Sequence, residues 1–263
     1  MNKKYVFVDL DGTILDYNTH SVPESAIRAM NLAKENGHEL ILATGRPPAL
    51  FYGIDKELGF DSYIASNGRV VVHHGTIIFD SPIPESSIES LLDICQRERL
   101  DMAYEGMYEF ALESNYDRLY EKFCDHFNLK FPTLHPGYYK GRKIYQINLF
   151  YNQPDFKRFE QLIPELKFEY SCQYGLDVNT PGGFKEMGIK EFVKQYDLDL
   201  VDVIAIGDGY NDVSMLQYAG TSVAMGNSYE GVKEHATFVT DDIDKNGLYN
   251  AFERLGLLQK KVD

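Results

Sequence analysis

The amino-acid sequence predicts an α/β protein in which a parallel-sheet domain is interrupted by an inserted α+β segment. Strand and helix patterns alternate at the beginning and again at the end of the 263-residue chain, and such alternation builds parallel sheets through helical crossovers. Between these regions lies a long stretch, rich in Tyr and Phe, in which the alternation is lost. The two outer regions are therefore expected to form one domain, and the middle stretch an insertion.

The first alternating region begins with an apolar, β-favouring run. A helix is predicted after Pro23, because proline suits a helix start, and Gly37 is expected to end it. The dipeptide Asn67-Gly68 is typical of a tight turn and indicates a hairpin-like ribbon. The predicted elements are a strand at 5–8, a helix at 23–37, a strand at 38–46, a helix at 48–59, and a strand with a following ribbon at 62–79.

The second alternating region resumes after the inserted segment. Residues 80–87 contain two prolines and are predicted to be a linker into the insertion. The predicted elements after the insertion are a helix ending at Tyr196, a strand at 201–208, a helix from Asn211, a strand at 221–225, a helix near 229–234 and a last helix ending near Leu255.

Composition and charge limit the classes of function. Apolar residues make up 44% and charged residues 25% of the chain, as in ordinary globular proteins. No apolar run is long enough for a membrane span, and acidic residues interrupt the first apolar stretch, so neither a membrane segment nor a signal peptide is expected. The formal charge of −14 disfavours nucleic-acid and anionic-membrane partners. Three cysteines without a CxxC spacing indicate reduced thiols and a cytoplasmic protein.

Acidic residues follow two of the predicted strands at their carboxyl ends. Asp9 and Asp11 come directly after the strand at 5–8, and Asp208 ends the strand at 201–208. Ligands of open α/β sheets bind at this edge, so the three carboxylates are expected to gather around one point. Their mutual repulsion favours a hard divalent ion bound by oxygen, and Mg²⁺ is the expected ion. Each motif alone is also typical of an ordinary turn or helix cap, and only their combination predicts a site.

Two further segments fit a site for a phosphate group. Thr44 and Gly45 end the second predicted strand and offer a hydroxyl and backbone N–H groups to an anion. Lys185 follows a flexible Pro-Gly-Gly turn and supplies a cation. Taken separately, a helix-entry turn and a solvated lysine explain these segments better, so they gain weight only beside the acidic cluster.

Four motifs, in this order along the chain, resemble those of the haloacid dehalogenase superfamily of phosphatases. They are DLDGT at 9–13, ATGR at 43–46, a lysine before a helix at 185, and GDGYND at 207–212. The large insertion, with SNG at 66–68 and AMGN at 224–227, is similar to the Cof-type branch with a C2-type cap. The resemblance implies a Rossmann-like core at 1–81 and 184–263 and a cap domain at 82–183.

The resemblance also implies roles for the acidic residues. Asp9 would be the nucleophile and a metal ligand, and Asp11 the general acid/base and a ligand through its backbone carbonyl. Asp208 and Asp212 would be the other metal ligands. The phosphate would be held by Leu10 through its N–H, Thr44, Gly45, Lys185 and Asn211. The spacing before Lys185 departs from the family pattern, which leaves Lys190 as a rival.

The expected function is Mg²⁺-dependent hydrolysis of a small phosphorylated metabolite through an aspartyl phosphate, because Asp9 can attack phosphorus and Asp11 can move the proton. Sugar phosphates come first by resemblance, with flavin, pyridoxal or nucleotide phosphates behind them. A phosphosugar mutase and a phosphorylatable receiver-like signalling module are the alternatives. The oligomeric state stays open.

The adjacent His73 and His74 could in principle bind a metal. Neighbouring residues of a strand point to opposite faces, however, so the two rings are not expected to converge. A solvated turn is the predicted environment of this pair.

Overall fold

The structure, a computed structural model, describes residues 2–259 and divides into two compact units. The first unit comprises the described residues of Met1–Gly45, Gly53–Asp80 and Phe184–Asp263. The second comprises Arg46–Tyr52 and Ser81–Gly183. The chain therefore enters and leaves the second unit twice.

Strands supply the frame of both units. In chain order they are β1 (Tyr5–Val8), β2 (Glu39–Ala43), β3 (Tyr63–Ala65), β4 (Val70–His73), β5 (Thr76–Asp80), β6 (Met102–Gly106), β7 (Phe110–Leu112), β8 (Thr133–Leu134), β9 (Ile144–Leu149), β10 (Lys167–Cys172), β11 (Gly175–Asn179), β12 (Val203–Gly207), β13 (Thr221–Ala224) and β14 (Phe238–Val239).

Helices cover these strands. The α-helices are α1 (Glu24–Glu35), α2 (Ile54–Glu57), α3 (Glu85–Glu98), α4 (Leu119–Phe127), α5 (Arg158–Leu162), α6 (Lys185–Tyr196), α7 (Val213–Tyr218), α8 (Glu230–Lys233) and α9 (Gly247–Arg254). Short 3₁₀ turns occur at Pro48–Leu50, Leu200–Asp202, Tyr210–Asp212 and Ile243–Lys245.

The first unit is built on a sheet whose strand order is β14-β13-β12-β1-β2-β3-β4-β5. The pairs from β14 to β3 are parallel, and β3, β4 and β5 form an antiparallel ribbon. This topology confirms the predicted α/β class with a parallel-rich sheet. Strands β1 and β12 lie side by side at its centre, with Tyr5 opposite Val203 and Val8 opposite Ile206. Their carboxyl ends therefore deliver the residues that follow Val8 and Gly207 to neighbouring positions.

The prediction of one continuous helix at 48–59 is wrong. The segment instead forms the 3₁₀ turn Pro48–Leu50 and the single helical turn α2, separated by Tyr52 and Gly53, whose φ angles are 52° and 91°. A left-handed residue breaks the helical hydrogen-bond ladder, so one helix cannot run through this point. The predicted linker at 80–87 is also shorter than expected, because α3 already begins at Glu85, after Pro84.

The second unit contains a mostly antiparallel sheet in the order β10-β11-β9-β6-β7-β8. Arg46–Tyr52 belongs to this unit, although the sequence predicted a boundary only at residues 81 and 82. The reason is hydrophobic: Leu50, only 4% exposed, is buried in a cluster with Phe110, Leu112 and other residues of the second unit. Burial of a leucine side chain contributes about 2 kcal/mol, enough to tie this short segment to the cluster.

One face of the second unit's sheet is polar. The side chains involved come from adjacent strands and are Glu105, Gln146, Asn148, Asp177 and Asn179, with Glu105 opposite Gln146 and Asn148 opposite Asp177. Asn148 Nδ2 donates to Asp177 Oδ1 at 2.9 Å, and Asn179 Nδ2 donates to Gln146 Oε1 at 3.1 Å. Within residues 2–259, Glu105 Oε2, Asn148 Oδ1 and Asn179 Oδ1 are buried acceptors without a hydrogen-bond donor.

Two expectations from composition concern the whole described chain. All three cysteines between residues 2 and 259 are buried free thiols: Cys95, Cys124 and Cys172. No helix in the described part of the chain combines the length and the apolar character that a membrane crossing requires.

Candidate active site

Asp9 stands at the carboxyl end of β1 because that strand is held by β12 on one side and β2 on the other. The ladder continues one step beyond the strand, where the N–H of Asp9 donates to the carbonyl of Ile206 at 2.9 Å. Asp208 follows the end of β12, so the two aspartates are brought together by neighbouring strands. Both are almost fully buried, with Asp9 5% and Asp208 4% exposed.

Asp212 joins these two residues in a buried acidic cluster. One carboxylate oxygen from each of Asp9, Asp208 and Asp212 lies within 4.8 Å of the others. Asp212 also folds back on its own loop, because its Oδ2 accepts hydrogen bonds from the N–H groups of Asp208 at 2.8 Å and Gly209 at 2.9 Å. The turn after β12 is thereby fixed around the carboxylate of Asp212.

Lys185, the first residue of α6, provides a positive charge inside the cluster. Its Nζ donates to Asp9 Oδ1 and, at 2.5 Å, to Asp212 Oδ1, and its side chain is completely buried. Lys190 lies elsewhere: it is about half exposed and pairs with Glu186 one turn away on the same helix. Of the two rival lysines, the structure brings only Lys185 to the acidic cluster.

Burial and mutual repulsion determine the electrostatics of the cluster. Desolvation, followed by repulsion from Asp212, raises the pKa of Asp9 well above its usual range. Desolvation and the charge of Asp212 likewise raise the pKa of Asp208 to about 7. Burial alone would lower the pKa of Lys185, but the carboxylates of Asp212 and Asp9 outweigh it and raise that pKa. Three carboxylates and one ammonium leave an excess of negative charge, which suits a bound divalent cation.

Gly12 lets the loop after β1 pass close to Asp208. Its φ is +86°, and a Cβ at this position would lie 2.2 Å from Asp208 Oδ2. Thr13 Oγ1 donates to Asp208 Oδ1 at 2.9 Å, while Asn227 Nδ2 donates to the carbonyl of Gly12 at 2.9 Å. The loop is therefore locked against Asp208 from both sides.

Asp11 and Leu10 lie in the same loop, between Asp9 and Gly12. Asp11 is half-buried, and repulsion from its charge is the last of the causes that raise the pKa of Asp9. Leu10 is buried, and its carbonyl accepts hydrogen bonds from the N–H groups of Ile14 at 3.0 Å and Leu15 at 2.7 Å. The backbone around Asp11 is thus held by a tight turn.

The predicted phosphate-binding residues Thr44 and Gly45, at the end of β2, lie beside β3 and the loops that follow β3 and β12. Thr44 is buried, and its N–H donates to the carbonyl of Ile64 at 2.8 Å. A Cβ on Gly45 would lie 3.1 Å from Asn67 Oδ1 and 3.5 Å from Asn211 Nδ2, so Gly45 sits beside both amides. Asn211 Nδ2 in turn donates to Asn67 Oδ1 at 3.4 Å. Because Asn211 directly precedes Asp212, this group adjoins the acidic cluster.

Several residues around the site were not assigned roles from the sequence. Thr13 positions Asp208, and Asn227 positions Gly12. Both could have been found from the sequence, because Thr13 is the last residue of the DLDGT motif and Asn227 the last residue of the AMGN motif. Ser66 is buried, and among the described residues its Oγ has no hydrogen-bond partner. Tyr17 lies against the loop, since a Cβ on Gly12 would be 2.4 Å from its ring. A tyrosine after a turn carries no sequence signal for such a contact.

The family to which the chain belongs accounts for this arrangement. The chain is a member of the haloacid dehalogenase-like hydrolases, whose family model matches residues 6–252. It is a phosphatase of the Cof-type branch, so the predicted hydrolase class is confirmed.

Relatives and solved structures match over nearly the whole chain. The putative phosphatase YkrA of Bacillus subtilis (strain 168) is 34% identical over 98% of this chain and 100% of its own. Pyridoxal phosphate phosphatase YbhA of Escherichia coli (strain K12) is 26% identical over 92% of this chain and 94% of its own. A solved structure of a hypothetical protein of Geobacillus kaustophilus HTA426 is 32% identical and has a TM-score of 0.93. The match covers 97% of this chain and 100% of that chain. The structure of the sugar phosphatase BT4131 is 28% identical and has a TM-score of 0.78, and the match covers 97% of this chain and 100% of that chain.

Proposed function

We propose that this phosphatase hydrolyses small phosphate monoesters by transferring the phosphoryl group to Asp9 and then to water. The observation that carries the proposal is the buried cluster of Asp9, Asp208 and Asp212 around the ammonium of Lys185. A nucleophilic carboxylate beside a buried cation can approach a phosphate dianion that would otherwise repel it.

In the first step, Asp9 attacks phosphorus in line with the leaving oxygen, which forms an aspartyl phosphate and breaks the ester bond. Lys185 neutralises part of the charge on the transferring group, and Asp212 holds Lys185 in place through its Oδ1. The uncharged amide of Asn211 does not repel phosphate, as a carboxylate at that position would. Uncharged donors bind the phosphate together with Lys185. They come from Thr44, Gly45, Asn211 and the backbone N–H of Leu10.

Asp11 moves the proton in both steps. It gives a proton to the leaving alcohol, and the resulting carboxylate then takes a proton from the water that cleaves the aspartyl phosphate. The tight turn around Leu10 keeps the Asp11 backbone next to Asp9. Hydrolysis is expected to be fast because the same group serves both steps.

The donor set fits Mg²⁺, which prefers carboxylate and carbonyl oxygens. We assign Asp9, Asp208 and the backbone carbonyl of Asp11 as its ligands. Asp212 was also predicted as a ligand, but both of its oxygens already accept hydrogen bonds from protein donors, so its part is to support the site. When bound, the ion supplies positive charge that offsets the charge of the phosphoryl oxygens.

Sugar phosphates are our first substrate class, ahead of flavin, pyridoxal and nucleotide phosphates. What supports this order is the 28% identity to the sugar phosphatase BT4131 over 97% of this chain. The 26% identity to a pyridoxal phosphate phosphatase supports pyridoxal phosphate as a further candidate.

The test is release of inorganic phosphate from a panel of sugar phosphates, pyridoxal phosphate, flavin mononucleotide and nucleotides. We expect release with Mg²⁺, none with EDTA, and the highest kcat/KM with a sugar phosphate. The variant Asp9→Asn keeps the shape of the side chain but lacks the nucleophile, so it controls for contaminating phosphatases. Full activity in metal-free protein or in Asp9→Asn contradicts the mechanism. An isomerised sugar phosphate without free phosphate identifies a mutase instead.

A further inference from the structure

A second group of possible metal ligands lies in the first unit, apart from the acidic cluster. One ligand atom from each of Glu39, His73 and His74 lies within 4.8 Å of the others. Glu39 is the first residue of β2 and pairs with Tyr5, the first residue of β1. The group therefore stands at the amino-terminal end of these strands, whereas Asp9 follows their carboxyl ends. A strand of this length separates the two places by roughly 13 Å.

The turn after β4 brings both histidine rings together. His73 ends β4, and His74 takes a left-handed conformation with a φ of 46°. This departure from extended backbone cancels the alternation of side chains along a strand, and the ring centroids lie 4.1 Å apart. The prediction that the two rings face opposite ways is therefore wrong.

Both rings turn their Nε2 atoms toward one carboxylate oxygen. His73 Nε2 lies 2.5 Å and His74 Nε2 3.8 Å from Glu39 Oε1. The other oxygen, Glu39 Oε2, is held by Lys3 Nζ at 2.6 Å. Glu39 can thus offer one oxygen to a cation while Lys3 fixes the orientation of its carboxylate.

The remaining nitrogen of each ring has a partner on its outer side. His74 Nδ1 lies 2.9 Å from Asp61 Oδ2, and because an ionised carboxylate only accepts, it favours the tautomer with the proton on Nδ1. The lone pair of His74 then resides on Nε2, toward Glu39. His73 Nδ1 lies 2.5 Å from the hydroxyl of Tyr196, whose oxygen can accept a hydrogen bond in the same way. Metal-binding histidines are commonly oriented by such partners.

We propose that Glu39 Oε1, His73 Nε2 and His74 Nε2 form a binding site for a transition-metal ion of the Zn²⁺ type. Two imidazoles and one carboxylate are ligands that Zn²⁺, Co²⁺ and Ni²⁺ prefer, whereas Mg²⁺ prefers oxygen alone. Tetrahedral Zn²⁺ with bonds of about 2.0–2.1 Å needs ligand atoms about 3.3 Å apart. The distances of 2.5 and 3.8 Å bracket this value, so small side-chain rotations complete the site.

The exposure of the three residues leaves one coordination position open. The side chain of His74 is 61% exposed, while those of Glu39 and His73 are 10% and 13% exposed. Solvent can therefore reach the ion from the side of His74. The bound ion would link β2 to the turn after β4 and stabilise the first unit, since it binds the folded chain and lacks this ligand set in the unfolded one.

The test is a Co²⁺ titration of the full-length protein, stripped with EDTA and returned to excess Mg²⁺ so that the acidic cluster is filled. We expect one Co²⁺ per chain with visible d–d absorption, and a rise in Tm when Zn²⁺ is added. His74→Asn removes Nε2 but tolerates the left-handed backbone, and it should weaken Co²⁺ binding at least about tenfold. Asp61→Asn should weaken it by roughly ten- to a hundredfold.

The matched control is His135→Asn. His135 Nδ1 lies 3.3 Å from Glu109 Oε1, so this variant also removes an exposed histidine beside a glutamate, but outside the proposed site. It should bind Co²⁺ like the wild type, and so should Asp208→Asn. The proposal is overturned if wild-type protein binds no Co²⁺ in excess Mg²⁺, if His74→Asn binds it as well as wild type, or if Asp208→Asn abolishes binding. None of these outcomes bears on phosphate release.

Discussion

Lys185 Nζ lies 2.5 Å from Asp212 Oδ1, and both side chains have no exposed surface. The same ammonium contacts Asp9 Oδ1, so one buried cation is shared by two buried carboxylates. A pair of this kind is costly to break from one side, because the group that remains is an uncompensated buried charge. The ion pair therefore links the stability of the site to its chemistry.

The first prediction separates the two rival lysines. Lys185→Met leaves Asp9 and Asp212 without their cation and should lower the free energy of unfolding by about 3–5 kcal/mol, measured by urea denaturation in EDTA. It should also reduce phosphate release at least about a hundredfold. Lys190→Met breaks only the exposed pair with Glu186 and should change neither quantity appreciably. Equal effects of the two substitutions would contradict the assignment of Lys185.

The second prediction concerns the close approach of Gly12 to Asp208. Gly12 and Gly37 have nearly the same φ, +86° and +84°, but a Cβ on Gly37 would meet no atom within 4 Å. Gly37→Ala should therefore lose only about 1 kcal/mol of stability through backbone strain. Gly12→Ala adds a clash with Asp208 and should reduce kcat/KM at least about a hundredfold. If both variants keep wild-type activity, the contact with Asp208 is dispensable.

The third prediction separates the roles of Asp9 and Asp11. Asp11→Asn keeps a backbone carbonyl for Mg²⁺ and leaves Asp9 able to attack, but it removes the group that moves the proton. An alkyl phosphate should then hardly react. An aryl phosphate such as p-nitrophenyl phosphate, whose leaving group needs little protonation, should give a burst of about one nitrophenol per site followed by slow turnover.

Two measurements check this outcome. Rapid mixing should resolve the burst, and mass spectrometry should find the added phosphoryl group on the peptide that contains Asp9. A variant with wild-type steady-state rates on both substrates would show that Asp11 is not the acid/base.

The fourth prediction concerns the pH dependence of stability in the second unit. Desolvation, followed by repulsion from Asp177, raises the pKa of Glu105 from its usual 4.5 to about 8. Between these values the folded protein binds more protons than the unfolded chain, so its free energy of unfolding falls as the pH rises. The loss attributable to Glu105 is about 5 kcal/mol at most.

Urea denaturation between about pH 5 and pH 8 measures this slope. Glu105→Gln should make the profile flatter. The slope that remains comes from Asp177 and Asp208, whose pKa values burial raises to about 6 and about 7, and from Asp9, whose pKa is also raised. Glu165→Gln, which replaces an exposed carboxylate between α5 and β10, should reproduce the wild-type profile. An unchanged slope in Glu105→Gln would contradict the raised pKa.

The sequence predicts the parts of the fold that depend on local pattern. The strand at 5–8 is found as β1, and the carboxyl ends of β1 and β12 bring Asp9 and Asp208 together, because parallel neighbours share an edge. Lys185 could not be chosen over Lys190 from spacing alone. The choice depends on which side chain is buried by tertiary packing, and this is not a local property.

Backbone conformation accounts for the other misses. Tyr52 and His74 both adopt left-handed conformations, with φ angles of 52° and 46°, although neither is glycine or asparagine. At Tyr52 this interrupts the predicted helix, and at His74 it turns the ring toward His73. The dipeptide His74-Gly75 does indicate a turn in the sequence, but it does not show where the ring of His74 points. A left-handed tyrosine such as Tyr52 is uncommon, and no local pattern predicts it.

The assignment of Arg46–Tyr52 to the second unit limits how that unit could be exchanged between proteins. A recombinant chimera in which only Ser81–Gly183 came from another protein would keep Leu50 of this chain. Leu50 would then have to pack against the hydrophobic residues of a different sequence. A successful transplant needs two grafts, one long and one short, inserted at separate points of the same gene. Diversification by recombination is therefore harder for this unit than for a domain attached by a single pair of junctions.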